Sequence, residues 1–418
     1  MKSSISALDQ LQGSPELLEG LGRVAVVTNQ AVCTQQNSPA LMEISHCLKK
    51  TKSSTLCAVF GPQHGYFQTE QDNMIETPDL TISVNDQKVP LYSLYGEVRE
   101  PTPQQLESID TLVVDMLDMG CRIYTYMLTL AGCMRQASKW NKKIVVLDRP
   151  NPLGLTTLSK DPNSKGQWER VEGNLLDTSL HSFVGWYSMP MRHGLTMGEL
   201  ACYFKHLDRL DLDLSVLKVQ NYKRNSPIER MEPWNIPSPN LPTWETSYFF
   251  PSFVMLEGTN VSEGRGTTLP FQIVGAPWLD SVHLITWMGQ RLKNHQIHAR
   301  PHVFRPTFNK HQGAVCHGIH LQPAHSFDLP LFDLGIWFIT YQLVFHSSLF
   351  KWKEPGYEYN FTDLPINLIL GNTKWHQTWE KHKDCESDMI NAISRLLEVS
   401  KAESQQFATT FKTIHLYE

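Results

Sequence analysis

Four apolar runs in the first third of the chain share one design, which limits the possible fold more than any other feature of the sequence. Each has strand length and is followed by polar side chains, in three cases with a glycine or proline nearby. The runs span residues 23–28, 56–60, 111–116 and 143–147, and the polar groups are Asn29, Gln63 with His64, Asp115 with Asp118, and Asp148 with Asn151. Segments between the runs, such as residues 40–50, have apolar residues at helical spacing. Strands that alternate with helices predict a parallel α/β sheet. The carboxyl ends of its strands would lie at one edge, where open α/β folds bind ligands.

The second half of the chain lacks this strand–helix rhythm. A polar, proline-rich stretch begins at residue 225, so we predict an N-terminal domain at 1–224 and a C-terminal α+β domain at 225–418. Residues 251–278 are rich in Gly, Ser and Thr and show no periodicity, which is typical of a binding loop. The apolar run at 329–345 contains Asp333 and Gln342 and predicts a buried helix.

Composition and charge exclude several classes of function. The chain has 418 residues, a net charge of −5 and no long basic run, so no nucleic-acid partner and no membrane surface is expected. No segment approaches the roughly 18 continuous apolar residues of a spanning helix, and no secretion signal is recognised at the N-terminus. The eight cysteines are scattered and form no CxxC pair, which is typical of reduced thiols. We therefore expect a cytoplasmic protein.

The chemistry that remains is that of carboxylates. The chain has no GxGxxG after its first strand, no Walker loop, no HExxH and no GxSxG, so dinucleotide, phosphate-loop, zincin and serine-hydrolase sites are disfavoured. Carboxyl groups in different environments can perform glycoside hydrolysis, one as a proton donor and one as an ionised partner. They can also bind a divalent metal, and both readings stay open at this point. His317 and His320 would lie on opposite faces of a strand, which disfavours a metal site there.

Nine segments, running in order from about residue 23 to about residue 280, resemble the NamZ-type exo-β-N-acetylmuramidases, glycoside hydrolase family one hundred and seventy-one, formerly a domain of unknown function. The matching segments are VAVVTNQ, FGPQHG, VPLYSLYGEVREPTP, IDTLVVDMLDMGCRIYTYMLTL, VVLDRPNPLG, VEGN, MPMRHGLTMGELA, IPSPNLPT and LEGTNVSEGRGTTLPFQIVGAPW. The resemblance implies a Rossmann-like N-terminal domain, a smaller C-terminal domain and a cleft between them. It also implies release of N-acetylmuramic acid, or of a related amino sugar, from the non-reducing ends of peptidoglycan fragments, without an organic cofactor.

The resemblance also directs the choice of catalytic residues. Many members have Pro-Glu-His-Gly where this chain has Gln63, which cannot transfer a proton and indicates a distinct subgroup. The resemblance therefore implies Glu76 as the general acid, supported by His64 and Asp118. A non-catalytic sugar-binding descendant is the alternative that Gln63 raises, and a metal-dependent hydrolase is the other.

The predicted substrate-binding residues come from the strand ends and the loops of the matching segments. Arginines are included because a guanidinium fork matches the lactyl carboxylate of the substrate. The set consists of Asn29, Gln63, Asp115, Arg122, Tyr124, Arg149, Asn151, Arg192, His193, Asn240, Glu257, Asn260, Glu263 and Arg265. No metal ligand is assigned, and the expected partner is a sugar or muropeptide bound by a monomer or homodimer.

Overall fold

A central sheet of seven strands organises the N-terminal half of the protein, which is represented by a computed structural model that describes residues 3–72, 74–228, 230–324 and 331–418. The strands of all sheets in the described residues are β1 (Gly22–Val27), β2 (Ser54–Gly61), β3 (Leu80–Val84), β4 (Gln87–Ser93), β5 (Thr111–Val114), β6 (Lys143–Leu147), β7 (Thr157–Leu158), β8 (Trp168–Glu169), β9 (Leu214–Leu217), β10 (Ile273–Ala276), β11 (Ile297–Phe304) and β12 (Cys316–Pro323). The central sheet has the order β3-β4-β2-β1-β5-β6-β9, and every neighbouring pair in it except β3–β4 is parallel. The predicted parallel α/β sheet is confirmed.

Helices cover both faces of this sheet and build most of the C-terminal half. They are α1 (Ala7–Leu11), α2 (Ala40–Lys50), α3 (Pro103–Leu106), α4 (Tyr126–Lys139), α5 (Met197–Leu207), α6 (Trp244–Phe253), α7 (Ser281–Asn294), α8 (Phe332–His346), α9 (Pro365–Leu370), α10 (Lys374–His382) and α11 (Glu386–Thr410). Short 3-10 turns occur at Pro15–Leu18, Pro162–Ser164, Thr178–Leu180, Val254–Gly258 and Phe411–Ile414. Within the described residues, no helix is both long enough and apolar enough to cross a membrane.

The C-terminal half forms the smaller second domain that the sequence predicts. Its sheet has the order β10-β12-β11, with antiparallel pairs, and His317 and His320 occupy β12 three residues apart. The apolar run predicted as a buried helix at 329–345 is α8, which begins at Phe332 in the described residues; residues 329–330 lie outside them. The α/β domain followed by a smaller α+β domain is therefore confirmed.

Two elements differ from the predictions. Strand β3 was not predicted, and it returns to β4 through Asn85 and Asp86, whose positive φ angles of 48° and 67° match a tight hairpin turn. Helix α6 continues through Pro251 to Phe253, so the predicted loop at 251–278 begins inside a helix. A proline late in a helix is tolerated here because the buried aromatic face of α6 packs into the core.

Residues near the C-terminal end of the described chain pack back onto the N-terminal sheet domain. The Tyr417 hydroxyl donates to Asp148 Oδ2 at 2.5 Å, and the Leu416 amide donates to Glu199 Oε1 at 2.8 Å. Glu199 also completes the predicted capping box with Thr196 at the start of α5. The sheet domain thus depends on hydrogen bonds from the far end of the sequence.

Candidate active site

A buried pocket lies where the loops after β2 and β5 meet the C-terminal half. Its polar side chains come from both halves of the chain: Gln63, His64, Thr125, Ser238, Asn240, Glu257, Arg265 and Glu358. Its walls also include five aromatic residues, Tyr124, Tyr126, Phe250, Phe271 and Tyr357. Aromatic walls with a few convergent polar groups are typical of a small-molecule site, and rings of this kind suit a sugar.

Glu358 is one of two carboxyl groups, with Glu257, that the C-terminal half brings to this pocket. It accepts a hydrogen bond from Gln63 Nε2 at 3.1 Å on Oε1 and another from the Tyr95 hydroxyl at 3.0 Å on Oε2. Only 3% of the residue is exposed, and this burial raises the pKa of Glu358 to about 7 despite the two hydrogen bonds, which lower it. At neutral pH this carboxyl is poised between its protonated and ionised forms.

The backbone at Glu358 is held in an unusual conformation. Glu358 and Tyr359 both have positive φ angles, 46° and 65°, although neither is glycine. These angles match the two central residues of a tight turn, which closes where the Asn360 amide donates to the Tyr357 carbonyl at 3.0 Å. The carboxyl is therefore aimed by the loop as well as by its hydrogen bonds.

A second group of charges lies beside Glu358 and is balanced internally. Arg265 Nη2 contacts Glu257 Oε1 at 2.5 Å and Arg265 Nε contacts Glu263 Oε1 at 3.3 Å, while Lys310 Nζ donates to Glu263 Oε2 at 2.7 Å. Two carboxylates thus face two cations. The Tyr357 hydroxyl also donates to Glu257 Oε2 at 2.7 Å. Burial pushes the pKa of Glu257 up, but Arg265 and Tyr357 outweigh it and hold the pKa below its usual value, so Glu257 is ionised.

His64 lies in the pocket as a neutral imidazole. Burial and the nearby Arg265 lower the pKa of His64 to about 4. Its Nδ1 is buried and finds no hydrogen-bond partner among the described residues. The residue adopts a positive φ of 67°, which is uncommon for a residue other than glycine. An open ring nitrogen in a pocket is available to a substrate hydroxyl or amide.

The aromatic wall is fixed by the proline-rich stretch before α6. The hydroxyls of Tyr124 and Tyr126 donate to the Pro237 carbonyl at 2.8 and 3.0 Å. Asn29, at the end of β1, donates to the Tyr126 hydroxyl at 2.8 Å. Asn29 therefore supports the wall from behind, without lining the pocket.

The predicted site residues separate into those that line the pocket and those that do not. Gln63, His64, Tyr124, Asn240, Glu257 and Arg265 line it. The others are placed elsewhere, mostly in buried braces behind it: Asn29, Glu76, Asp115, Asp118, Arg122, Arg149, Asn151, Arg192, His193, Asn260 and Glu263. Among these, Glu263 contacts the pocket through Arg265.

The two carboxylates predicted to act with His64 have other neighbours. The side chain of Glu76 is 51% exposed and lies 3.6 Å from Arg99. Asp118 is buried, accepts from the Gly120 amide at 2.6 Å and lies 3.1 Å from His193 Nε2. Neither side chain lines the pocket, and the assignment of Glu76 as the acid stays a prediction.

Three of the four arginines predicted to bind substrate are engaged in buried contacts that brace loops. Arg149 forms a two-pronged pair with Asp115, with distances of 2.5 and 2.9 Å. Arg122 donates to the carbonyls of Ile369 and Leu370, and Arg192 lies 3.2 Å from Glu172. Arg265 is the one of the four that lines the pocket, and its Nη1 has no hydrogen-bond partner in the described part of the chain.

Sequence reasoning missed Glu358. It lies in the segment PGYEYN, between α8 and α9, where no strand end or matching segment drew attention to it. The available signal was local: a lone carboxyl between two tyrosines directly after Pro-Gly. Such a setting favours burial of the carboxyl, which is what changes its chemistry.

Comparisons with known proteins agree with this architecture. The family model described as exo-β-N-acetylmuramidase NamZ, N-terminal, matches residues 24–245, and its C-terminal counterpart matches residues 248–417. The junction lies about 20 residues beyond the predicted domain boundary at 224/225. Two crystal structures of DUF1343 family proteins from Bacteroides fragilis NCTC 9343 have the same fold. One has a TM-score of 0.78, 24% identity and coverage of 99% of both chains. The other has a TM-score of 0.69, 25% identity and coverage of 100% of this chain and 99% of that one.

A curated relative is similar over almost the whole length. The peptidoglycan β-N-acetylmuramidase NamZ of Bacillus subtilis (strain 168) is 38% identical over 400 residues, which is 94% of this chain and 87% of that protein. Identity of this extent, together with matches to both halves, establishes the relationship. The chain belongs to the exo-β-N-acetylmuramidase NamZ family.

Proposed function

We propose that this chain is a glycoside hydrolase that releases N-acetylmuramic acid from the non-reducing ends of peptidoglycan fragments and binds its lactyl carboxylate through Arg265. The B. subtilis relative, a peptidoglycan β-N-acetylmuramidase, supports the reaction. The observation that carries the substrate assignment concerns Arg265, a residue that lines the pocket and whose buried Nη1 has no hydrogen-bond partner among the described residues. A donor in this state favours an anionic ligand group.

The rest of the pocket suits an amino sugar. Tyr124 and Phe250 offer aromatic surfaces to a ring, and the open Nδ1 of His64 can meet a hydroxyl or the acetamido group. Glu257 is ionised and can stabilise the positive charge that develops on the sugar during bond cleavage. These groups need no organic cofactor.

The test compares two chromogenic substrates that differ only in the lactyl ether. The wild-type protein should hydrolyse 4-nitrophenyl β-N-acetylmuramide and release N-acetylmuramic acid, identified by mass spectrometry, while 4-nitrophenyl β-N-acetylglucosaminide should react far more slowly. A protein that binds but does not turn over the muramide would favour the non-catalytic alternative. Loss of turnover after exhaustive chelation, restored by a divalent metal, would favour the metal-dependent one.

Arg265→Lys is expected to lower kcat/KM for the muramide by about 10- to 100-fold, because a charged hydrogen bond of about 1.5–3 kcal/mol is lost with the guanidinium fork. The lysine keeps the positive charge beside Glu257. The residual rate on the glucosaminide should change much less, because that substrate has no carboxylate. An equal loss on both substrates would contradict a role in recognition and indicate a structural one.

We also propose a cytoplasmic location and action on disaccharides or muropeptide fragments. All eight cysteines are free, including the buried Cys47, Cys121, Cys133 and Cys316, which suits a reducing compartment. Cell fractionation with an antibody against the chain tests the location, and recovery in the wall or culture medium would contradict it. A monomer or homodimer stays a prediction, which sedimentation analysis can check.

A further inference from the structure

The carboxyl of Glu358 is oriented by the side chains of Gln63 and Tyr95, and their own hydrogen bonds determine which of their atoms face it. The Thr125 hydroxyl donates to Gln63 Oε1, so the amide nitrogen of Gln63 is the end that faces Glu358. The Tyr95 hydroxyl receives the Met74 amide at 2.8 Å and Gln63 Nε2 at 3.2 Å. Its single proton is therefore directed at Glu358 Oε2.

This network fixes which part of Glu358 can meet a substrate. Each carboxyl oxygen offers about two acceptor positions, and Gln63 and Tyr95 occupy one on each oxygen. The second lone pair of each oxygen stays available to bind the acidic proton of the carboxyl. Glu358 also lines the pocket that contains Glu257 and Arg265. The group is thus a carboxyl with fixed geometry whose unpaired side borders the ligand space.

We infer that Glu358 is the catalytic acid of this chain and that Gln63 is the positioning residue that aims it, an inference that rests on the proposed glycosidase function. Gln63, in the loop after β2, cannot donate an acidic proton. Glu358, whose Oε1 lies 3.1 Å from Gln63 Nε2, can. The proton-transferring group is then delivered by the C-terminal half, and the N-terminal half orients it.

The proposed step balances as an ordinary hydrolysis. The bond between the anomeric carbon and the glycosidic oxygen breaks, and its electron pair stays with the oxygen, which takes the proton of Glu358. A water molecule adds its oxygen to the anomeric carbon. The proton that this water loses restores the Glu358 carboxyl through solvent, so one bond is cleaved and one water is consumed.

The amide at position 63 also sets the protonation of Glu358. A carboxyl at position 63 would lie about 3 Å away, and two carboxyls at that distance share one proton. With an amide there, no second carboxyl competes for the proton of Glu358. The hydrogen bond from Gln63 lowers the pKa of Glu358, but burial outweighs it and raises the pKa to about 7, so about half of the carboxyl groups are protonated at neutral pH. Activity that needs the protonated form should therefore decline as the pH rises through about 7.

The decisive experiment compares leaving groups in the wild-type protein, Glu358→Gln and the control Glu354→Gln, an exposed position four residues earlier in the same segment. One substrate is N-acetylmuramyl-β-1,4-N-acetylglucosamine, whose leaving sugar hydroxyl needs a proton. The other is 2,4-dinitrophenyl β-N-acetylmuramide, whose phenolate departs without one. For Glu358→Gln we expect kcat/KM to fall by about 10²–10⁴-fold on the disaccharide and by less than about tenfold on the dinitrophenyl substrate.

Further readouts separate catalysis from folding. The wild-type rate on the disaccharide should fall above pH 7, this limb should be absent from the residual rate of Glu358→Gln, and Glu354→Gln should match the wild type. Full disaccharide turnover by Glu358→Gln, or equal losses on both substrates, would overturn the inference. So would loss of disaccharide turnover in Glu76→Gln while Glu358→Gln stays active.

Failure of the proposed function has a different signature, because the wild-type protein would then cleave neither muramide. In that case difference infrared spectra of wild type minus Glu358→Gln follow the neutral carboxyl band directly during a pH titration. A band that is lost near pH 7 would still support Glu358 as the proton-carrying group of the pocket. A carboxyl already ionised at pH 5 would overturn the inference whatever the substrate.

Discussion

Replacing Glu257 by glutamine should lower the free energy of unfolding by about 3–5 kcal/mol and reduce turnover by at least about 100-fold. The stability loss follows from the charge balance of the pocket. Glu257 and Glu263 face Arg265 and Lys310, and the substitution leaves two buried cations facing one carboxylate, Glu263. An uncompensated buried charge is far more costly than a lost surface pair.

The loss of turnover has a separate cause. Glu257 is the ionised carboxylate of the pocket, whereas the neighbouring Glu358, with a pKa of about 7, is about half protonated at neutral pH. A fixed negative charge stabilises the cation-like sugar of the transition state more than the neutral substrate. Glutamine has nearly the same shape but no charge, so kcat should suffer more than KM.

Urea unfolding and steady-state kinetics on the chromogenic muramide measure the two effects independently. Asp213→Asn is a suitable control, because Asp213 is 68% exposed and lies 3.7 Å from Lys143. Its effect on unfolding should stay within about 1 kcal/mol, as for other surface ion pairs. A Glu257→Gln protein with wild-type stability and turnover would show that the buried charge cluster contributes neither to folding nor to the reaction.

Gly335→Ala should destabilise the fold by about 3 kcal/mol, because α8 passes α6 at a distance that only glycine permits. A β-carbon at position 335 would lie 1.8 Å from the Ser252 carbonyl oxygen and 2.8 Å from its carbon. Both are backbone atoms, so no side-chain rotation can relieve the contact. The two helices would have to separate, which opens the aromatic core between them.

Gly289→Ala in α7 is the matched comparison. It makes the same substitution within a helix, but apart from the adjacent backbone of α7 itself, no atom in the described part of the chain lies within 4 Å of the added carbon. Alanine should stabilise this helix by about 0.5–1 kcal/mol relative to glycine. Thermal unfolding of both variants should therefore shift in opposite directions, and a similar shift for both would indicate that the close approach of α6 and α8 contributes little.

Local sequence patterns predicted much of the fold because they are enforced by local chemistry. Aliphatic runs such as 143–147 became central strands, and Thr196 with Glu199 formed the capping box that their spacing indicates. Strand β3 was missed because it is an exposed edge, with little of the apolar pattern that marks buried strands. Its Asn85-Asp86 turn was the signal that could have revealed it.

The pocket was harder to predict because its composition is decided by tertiary contacts. His64, Glu257 and Arg265 were predicted as site residues because they lie in loops of the matching segments. Nothing in the linear sequence indicates that Nη1 of Arg265 lacks a hydrogen-bond partner among the described residues whereas Arg149 forms a two-pronged pair with Asp115. Glu358 lies 295 residues from Gln63, a separation that no local pattern bridges. Its raised pKa arises from burial, which is a property of the assembled pocket.

The return of Tyr417 to Asp148 has a consequence for the order of events during synthesis. These residues are 269 positions apart, so the sheet domain emerges from the ribosome long before the hydroxyl that satisfies its buried carboxylate. Domains usually fold in turn as they are made, but this one cannot complete its hydrogen bonding until the second half has been translated. The nascent N-terminal half is therefore expected to wait in an incomplete state and to be a natural client of ribosome-associated chaperones.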